Sequence, residues 1–303
     1  MMKPYLTALF LLICVPAFAD EPSAPVTQTQ SPAPDQPSNL TLSNFFTAGW
    51  GEAYNKRYTP EGAPDMALLH VTTNFLEREF RFDSYSQQNL RSNSTRSVQF
   101  VDAELAYGFD RRFMLEVVSN YEWKIGRGGE PGSSGSSEAM VGRVQLVDVP
   151  GSSLAFNFKA TSPNVGINNQ QTTLTPGLAG WQDLTCYGLK RVGVYFSVGL
   201  ENYVGPAAAG ATYNDVEYDV SIAKTWTEPN VPCFGNFTTF VEFYNTTNVN
   251  GTGSGLVYTE ANVTPGFRVT LFPKNILMGG IDLPLSSPNA FCAAYRLTYI
   301  INF

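Results

Sequence analysis

Apolar and polar residues alternate with a period of two along most of the chain. Phe113, Leu115, Val117, Ser119, Tyr121 and Trp123 share one face of a segment whose other face carries Met114, Glu116, Val118, Asn120 and Glu122. Val192, Val194, Phe196, Val198 and Leu200 stand opposite Tyr195, Ser197, Gly199 and Glu201, and Val216, Tyr218, Val220 and Ile222 opposite Glu217, Asp219 and Ser221. Phe237, Val241 and Phe243 face away from Glu242, as Phe267, Val269 and Leu271 do from Arg268. This is the period of a strand, and no stretch sustains the 3.6-residue period of an amphipathic helix. An all-β chain is predicted from residue 66 onward.

The period-two segments number about twelve, at 66–82, 94–108, 111–124, 137–148, 153–163, 180–191, 192–204, 213–227, 235–247, 257–272, 275–286 and 291–303. Long Gly/Ser/Asn-rich connections interleave with tight ones at Phe109-Asp110, Pro150-Gly151, Lys190-Arg191 and Pro273-Lys274. Bacterial outer-membrane barrels show this asymmetry, with short periplasmic turns, longer outer loops and an even strand number. A soluble β-sandwich alternates in the same way, so the last segment has to separate the two. Tyr295, Leu297, Tyr299, Ile301 and Phe303 alternate with Arg296, Thr298, Ile300 and Asn302. Ending on an aromatic residue, they are similar to the terminal-strand signal read by the barrel-assembly machinery. The fold expected is therefore a transmembrane antiparallel up-and-down β-barrel of about 12 strands over 66–303, in the bacterial outer membrane as a monomer among lipids and lipopolysaccharide.

The N-terminus agrees with that destination. Lys3, the apolar stretch Leu6 to Val15 and Ala17-Phe18-Ala19 form a secretory signal peptide pattern over 1–19. Residues 20–39, rich in Pro, Ser, Gln and Thr, read as a disordered linker. Residues 40–65, with Phe45, Phe46, Trp50 and Tyr54 on a Gly- and Pro-punctuated background, are a candidate plug.

Charged residues make up only 15% of the 303, below the globular norm of roughly 25%. The formal charge of −7 and the lack of a Lys/Arg cluster exclude nucleic acid as a partner. No run of about 18 apolar residues exists, which excludes a helical span. Cys186, Cys233 and Cys292 have no metal-ligand spacing and read as small apolar residues, and no cofactor or metal is expected.

With the apolar faces outward, the predicted lumen-lining residues are Asp102, Glu104, Glu116, Glu122, Arg143, Lys159, Glu201, Glu217, Asp219, Glu242, Glu260, Arg268, Asp282 and Arg296. Charges that share a lumen must be solvated or paired. They therefore describe either a salt-bridge lattice that fills the barrel or a polar path that selects solutes by charge. Catalysis is not expected. The one His, His70, falls at the start of the first predicted strand with no Ser at a nearby alternate position, and hydrolysis on a barrel needs that pair. The carboxylate pairs Glu217 with Asp219 and Glu77 with Glu79 read as lumen lining.

Thr264-Pro265-Gly266-Phe267-Arg268, the turn Pro273-Lys274-Asn275 and Gly279-Gly280-Ile281-Asp282-Leu283-Pro284-Leu285 resemble an outer-membrane family, the "MetA-pathway of phenol degradation" transporters. The resemblance covers about the last forty residues well. It implies a passive channel for small, often hydrophobic or aromatic, solutes and carries over no binding residues. A structural or adhesive barrel with a closed lumen is the alternative, and a hydrolase on the rim the remaining one.

Overall fold

The computed structural model describes residues 38–54, 62–88, 95–126, 129–163, 172–204, 214–249, 259–286 and 291–303. The expected signal peptide and all but the last two residues of the expected linker lie outside the described residues, as do parts of the long connections. Twelve strands form one closed barrel: β1 (Arg78–Gln88), β2 (Thr95–Gly108), β3 (Phe113–Gly126), β4 (Pro131–Val149), β5 (Ser152–Thr161), β6 (Thr172–Asp183), β7 (Val192–Val204), β8 (Asn214–Thr225), β9 (Gly235–Asn248), β10 (Thr259–Phe272), β11 (Asn275–Pro284) and β12 (Ala293–Asn302). Each pairs antiparallel with its sequence neighbours, and β12 closes on β1, with the Phe303 N–H reaching the Arg78 carbonyl at 3.0 Å. Closure leaves no strand edge unpaired, as hydrocarbon requires.

Side-chain alternation sorts the wall. Leu105, Met140, Phe158, Val198, Ile222, Phe243 and Leu297 are exposed on the outer face, an apolar surface suited to lipid rather than water. Tyr107, Phe109, Tyr187, Trp226, Phe234, Phe272 and Phe303 are exposed toward the end that carries the short turns, where an interfacial aromatic girdle falls. That end is the periplasmic one by the loop asymmetry of such barrels. Its turns are locally encoded. Asp110 Oδ1 accepts the N–H groups of Arg112 (2.7 Å) and Phe113 (2.8 Å), while Gly151 and Lys274 take positive φ of 80° and 69° in the tight turns after β4 and β10.

The structure moves three expected strands. β6 runs over 172–183 rather than 180–191, because Asp183 Oδ1 accepts from Thr185 (2.9 Å to its N–H, 2.7 Å to its hydroxyl) and the chain turns there into a short 3-10 helix. Pro176 hides the first half of that strand from pattern reading, and its missing N–H falls where the β6–β7 pairing skips from Leu174 to Gly177. β4 begins at Pro131 instead of 137. The strand expected over 66–82 begins only at Arg78. Met66, Ala67, Leu68 and Leu69 are apolar in succession, and all four are buried, which a two-faced wall strand cannot do.

Residues 62–77 instead fold through the lumen. Ala63, Met66, Ala67, Leu68, Leu69, Val71 and Phe75 pack against inward Trp181, Tyr195, Ala223, Phe240, Ile276, Met278 and Ile300. A barrel of twelve strands is wider than an eight-stranded one filled by its own side chains, and this segment takes up that space. Gly280 makes room for its apex, since a Cβ there would stand 2.5 Å from Leu69 Cδ1. The stretch 40–65 thus divides. Residues 38–54 lie against the short-turn end, where Leu40 and Asp148 exchange backbone hydrogen bonds of 2.9 Å. Buried Arg112 donates there to Ala48 O (2.9 Å), Gln145 O (2.8 Å) and Asn44 Oδ1 (2.9 Å).

Candidate functional site

The luminal segment is held by side chains of the wall that reach its backbone. On the way in, the Tyr195 hydroxyl donates to Pro64 O, and Asp65 Oδ2 accepts from Ser153 Oγ (2.8 Å) and Asn74 Nδ2 (3.2 Å). At the apex three successive N–H groups, of Leu69, His70 and Val71, converge on the Glu242 carboxylate at 3.2 Å each. The next, of Thr72, reaches Ser197 Oγ at 3.1 Å, and that hydroxyl donates to Asp219 at 2.8 Å. On the way out Arg143 donates to Phe75 O (2.9 Å) and Asn157 Oδ1 (2.6 Å), and lies 3.5 Å from Glu77 and 3.4 Å from Glu116.

His70 sits at that apex rather than on a strand. Its Nε2 is 2.9 Å from Asp282 Oδ1, and its ring stacks on Tyr244 with centroids 3.8 Å apart. Asp282 also accepts from Thr264 Oγ1 (2.7 Å) and Arg296 Nε (2.8 Å), and the Arg296 guanidinium lies over Tyr85 at 3.8 Å. His70 and its partners thus tie the apex of the segment to β9, β10, β11 and β12 of the wall.

Beside the apex a cavity of about 320 Å³ opens between Leu68 to Thr73 and the walls of β1 to β8. Of the residues predicted to line the lumen, Asp102, Glu104, Glu116, Arg143, Lys159, Glu217 and Asp219 surround it. Two ion-pair groups each set one arginine against two carboxylates: Arg81 with Asp83 (2.7 Å) and Glu104 (3.8 Å), and Arg143 with Glu77 and Glu116. Among the described residues Asp102, Lys159, Glu217 and Asp219 form no ion pair.

The rest of the predicted set stands elsewhere. Glu242, Asp282 and Arg296 are engaged with the luminal segment and its anchors, and Arg268 is buried on β10. Glu122 pairs with Lys124 (3.4 Å) and Glu201 accepts from the Tyr203 hydroxyl (3.2 Å), both toward the outer ends of their strands, while Glu260 is half-buried at the start of β10. Tyr295, Leu297, Tyr299, Ile301 and Phe303 are all exposed on the outer face of the closing strand. The sequence reading leaves out Arg81, Asp83 and Asn157. Arg81 and Asp83 were within reach of it, since they alternate with outward Phe80 and Phe82 once the strand starts at residue 78. The three cysteines, read as apolar filler, are all free and exposed.

No protein-family model and no curated protein matches the chain. Among solved structures it is similar to the COG4313 outer membrane channel from Pseudomonas putida F1, at 13% identity and a TM-score of 0.53, over 82% of this chain and 100% of that one. It is also similar to the NanC porin, at 9% identity and a TM-score of 0.50, over 74% of this chain and 98% of that one. These likenesses are of fold. The chain has the closed antiparallel fold of outer-membrane β-barrels, while membership of the phenol-degradation transporter family has no matching family model.

Proposed function

We propose that the chain is a passive outer-membrane channel for small solutes in which residues 62–77 act as the plug. The observation that supports this is the cavity beside the apex, bordered by Asp102, Lys159, Glu217 and Asp219, which form no ion pair among the described residues. Charges without an ion-pair partner are stabilised by water or by a charged ligand. A lumen kept wet up to the plug is half of a permeation path. The plug itself is hung on side-chain hydrogen bonds rather than built into the sheet, so displacing it breaks no strand pairing. The polar lining favours polar cargo, and the hydrophobic or aromatic solutes implied by the family resemblance are the competing class. In this reading the terminal strand from Tyr295 to Phe303 is what the assembly machinery recognises, and the protein works as a monomer among outer-membrane lipids and lipopolysaccharide.

The closed structural barrel is the second reading, favoured by the apolar cluster that seals the periplasmic half around Trp181, Phe240 and Met278. Planar-bilayer recordings separate the two. A channel gives discrete currents, enlarged when residues 62–77 are replaced by a Gly/Ser linker. Silence from both proteins would establish the closed barrel. Liposome swelling with glycerol, ethanolamine and phenol then ranks the cargo classes.

A further inference from the structure

Resting on the channel reading only for the ligand's route of access, we propose that the luminal cavity binds a small zwitterion, its carboxylate at Lys159 and its ammonium toward Glu217 and Asp219, the two acids that share β8. With the ion-paired groups set aside, the cavity keeps three carboxylates and one ammonium. Their separation is fixed by the topology. Lys159 points inward from β5, and its cross-strand neighbours on β4 and β6 are Val141 and Thr175, neither of them charged. β2, with Asp102, and β8, with Glu217 and Asp219, each stand three strands away from β5 around the barrel. The ammonium therefore has Asp102 a quarter-turn to one side and Glu217 with Asp219 a quarter-turn to the other, and among the described residues no carboxylate pairs with it. A ligand with charges of both signs does so.

A second group points to the same ligand. Asn157, two residues before Lys159 on the same inward face, lines the cavity and is 5% exposed. Arg143 Nε donates to its Oδ1 at 2.6 Å, which fixes the amide's orientation and leaves Nδ2 as its other end, a buried donor with no partner among the described residues. An N–H donor beside an ammonium is a pairing that recognises a carboxylate, and charge-assisted bonds of this kind are the strong ones. A buried donor left unmet is costly, so it marks a position that a ligand oxygen would fill. The cavity's size is near the lower end of ligand sites, roughly 300–1,000 Å³.

Calorimetric titration of the full chain, folded in detergent at low ionic strength, tests this with glycylglycine, acetate and ethylamine as probes. Glycylglycine should bind saturably, and each singly charged probe at least about tenfold more weakly. Lys159→Met and Asn157→Leu should each weaken glycylglycine about tenfold, with Lys159→Arg recovering most of the loss. Acetate or ethylamine binding as tightly as glycylglycine, unchanged binding by Lys159→Met, or no saturable binding at all would overturn the proposal. The wild-type probe series decides the matter even if a variant does not fold. Binding by a protein that passes no current would remove the channel reading and leave the site standing, and current without glycylglycine binding would do the reverse.

Discussion

Glu242 is a carboxylate with no exposed surface that accepts three consecutive backbone N–H groups from residues 69–71. A nest of N–H donors is a natural partner for an anion, and each donor left unmet in a buried place costs about 1–3 kcal/mol. Glu242→Gln keeps the size and replaces one acceptor oxygen with a donor, so at least one of the three N–H groups loses its partner. The expected outcome is faster hydrogen exchange at Leu69, His70 and Val71, together with more frequent or larger openings in bilayer recordings. Unchanged exchange would show that packing against the wall, not the carboxylate, holds the apex. Glu242 could be placed on an inward face from sequence alone, because it alternates with Val241 and Phe243. Its partners could not, since they lie some 170 residues earlier in the chain and no local pattern links the two.

Two elements lie inside or below the barrel without belonging to its wall, and pH should act on one of them. In the segment 38–54, Glu52 accepts from the Gly49 N–H (2.7 Å) and from Arg111 (2.8 Å), and these two bonds, in that order, hold its carboxyl below the ordinary Glu value of 4.5. A lowered carboxyl value adds stability above the unfolded value and loses it as pH falls through the folded one. Docking of 38–54 should therefore loosen at pH values under 4.5. Protease sensitivity of this segment should rise over that range in the wild type, while Glu52→Gln should be equally sensitive above and below it. A parallel pH response in the variant would assign the effect to other groups. Wall strands such as β3, β7 and β8 were legible in sequence because each has one lipid-facing and one luminal face, so burial and period coincide. The run from Met66 to Leu69 misled for the opposite reason. A segment enclosed by the barrel buries side chains on every side, and it leaves no period to read. The same enclosure explains why the luminal site was only half visible: inward charges such as Lys159 and Glu217 follow from alternation, whereas their pairing or isolation depends on strands far apart in sequence.

At the scale of the whole molecule the barrel separates two solvents, and substitutions should be sorted by the side they face. Val198, mid-strand and exposed on the outer wall of β7, becomes costly as Val198→Arg, by about 2–4 kcal/mol near the bilayer midplane. Thr175→Arg, which faces the cavity from β6, should still insert and change conductance instead. Refolding yield into lipid vesicles measures the difference, and equal loss from both would mean that the assigned wall faces are wrong. Ser197, one residue before Val198, is unsuitable as the luminal control because its hydroxyl joins Thr72 to Asp219. Charge should set the selectivity of the path. Arg81 and Arg143 are already outnumbered by Asp83, Glu104, Glu77 and Glu116, and the cavity adds Asp102, Glu217 and Asp219 against Lys159 alone. A surplus of negative charge along a wet path lowers the energy of cations and raises that of anions. Screening shortens its reach from about 10 Å at 0.1 M salt to about 3 Å at 1 M. Reversal potentials across a KCl gradient should accordingly show a mild cation preference at low salt that fades at high salt. Glu217→Gln combined with Asp219→Asn should reduce it, and Lys159→Met should strengthen it. An anion preference in the wild type would mean that the free acids do not control the path, whereas a preference insensitive to all three substitutions would place the selective step elsewhere in the barrel.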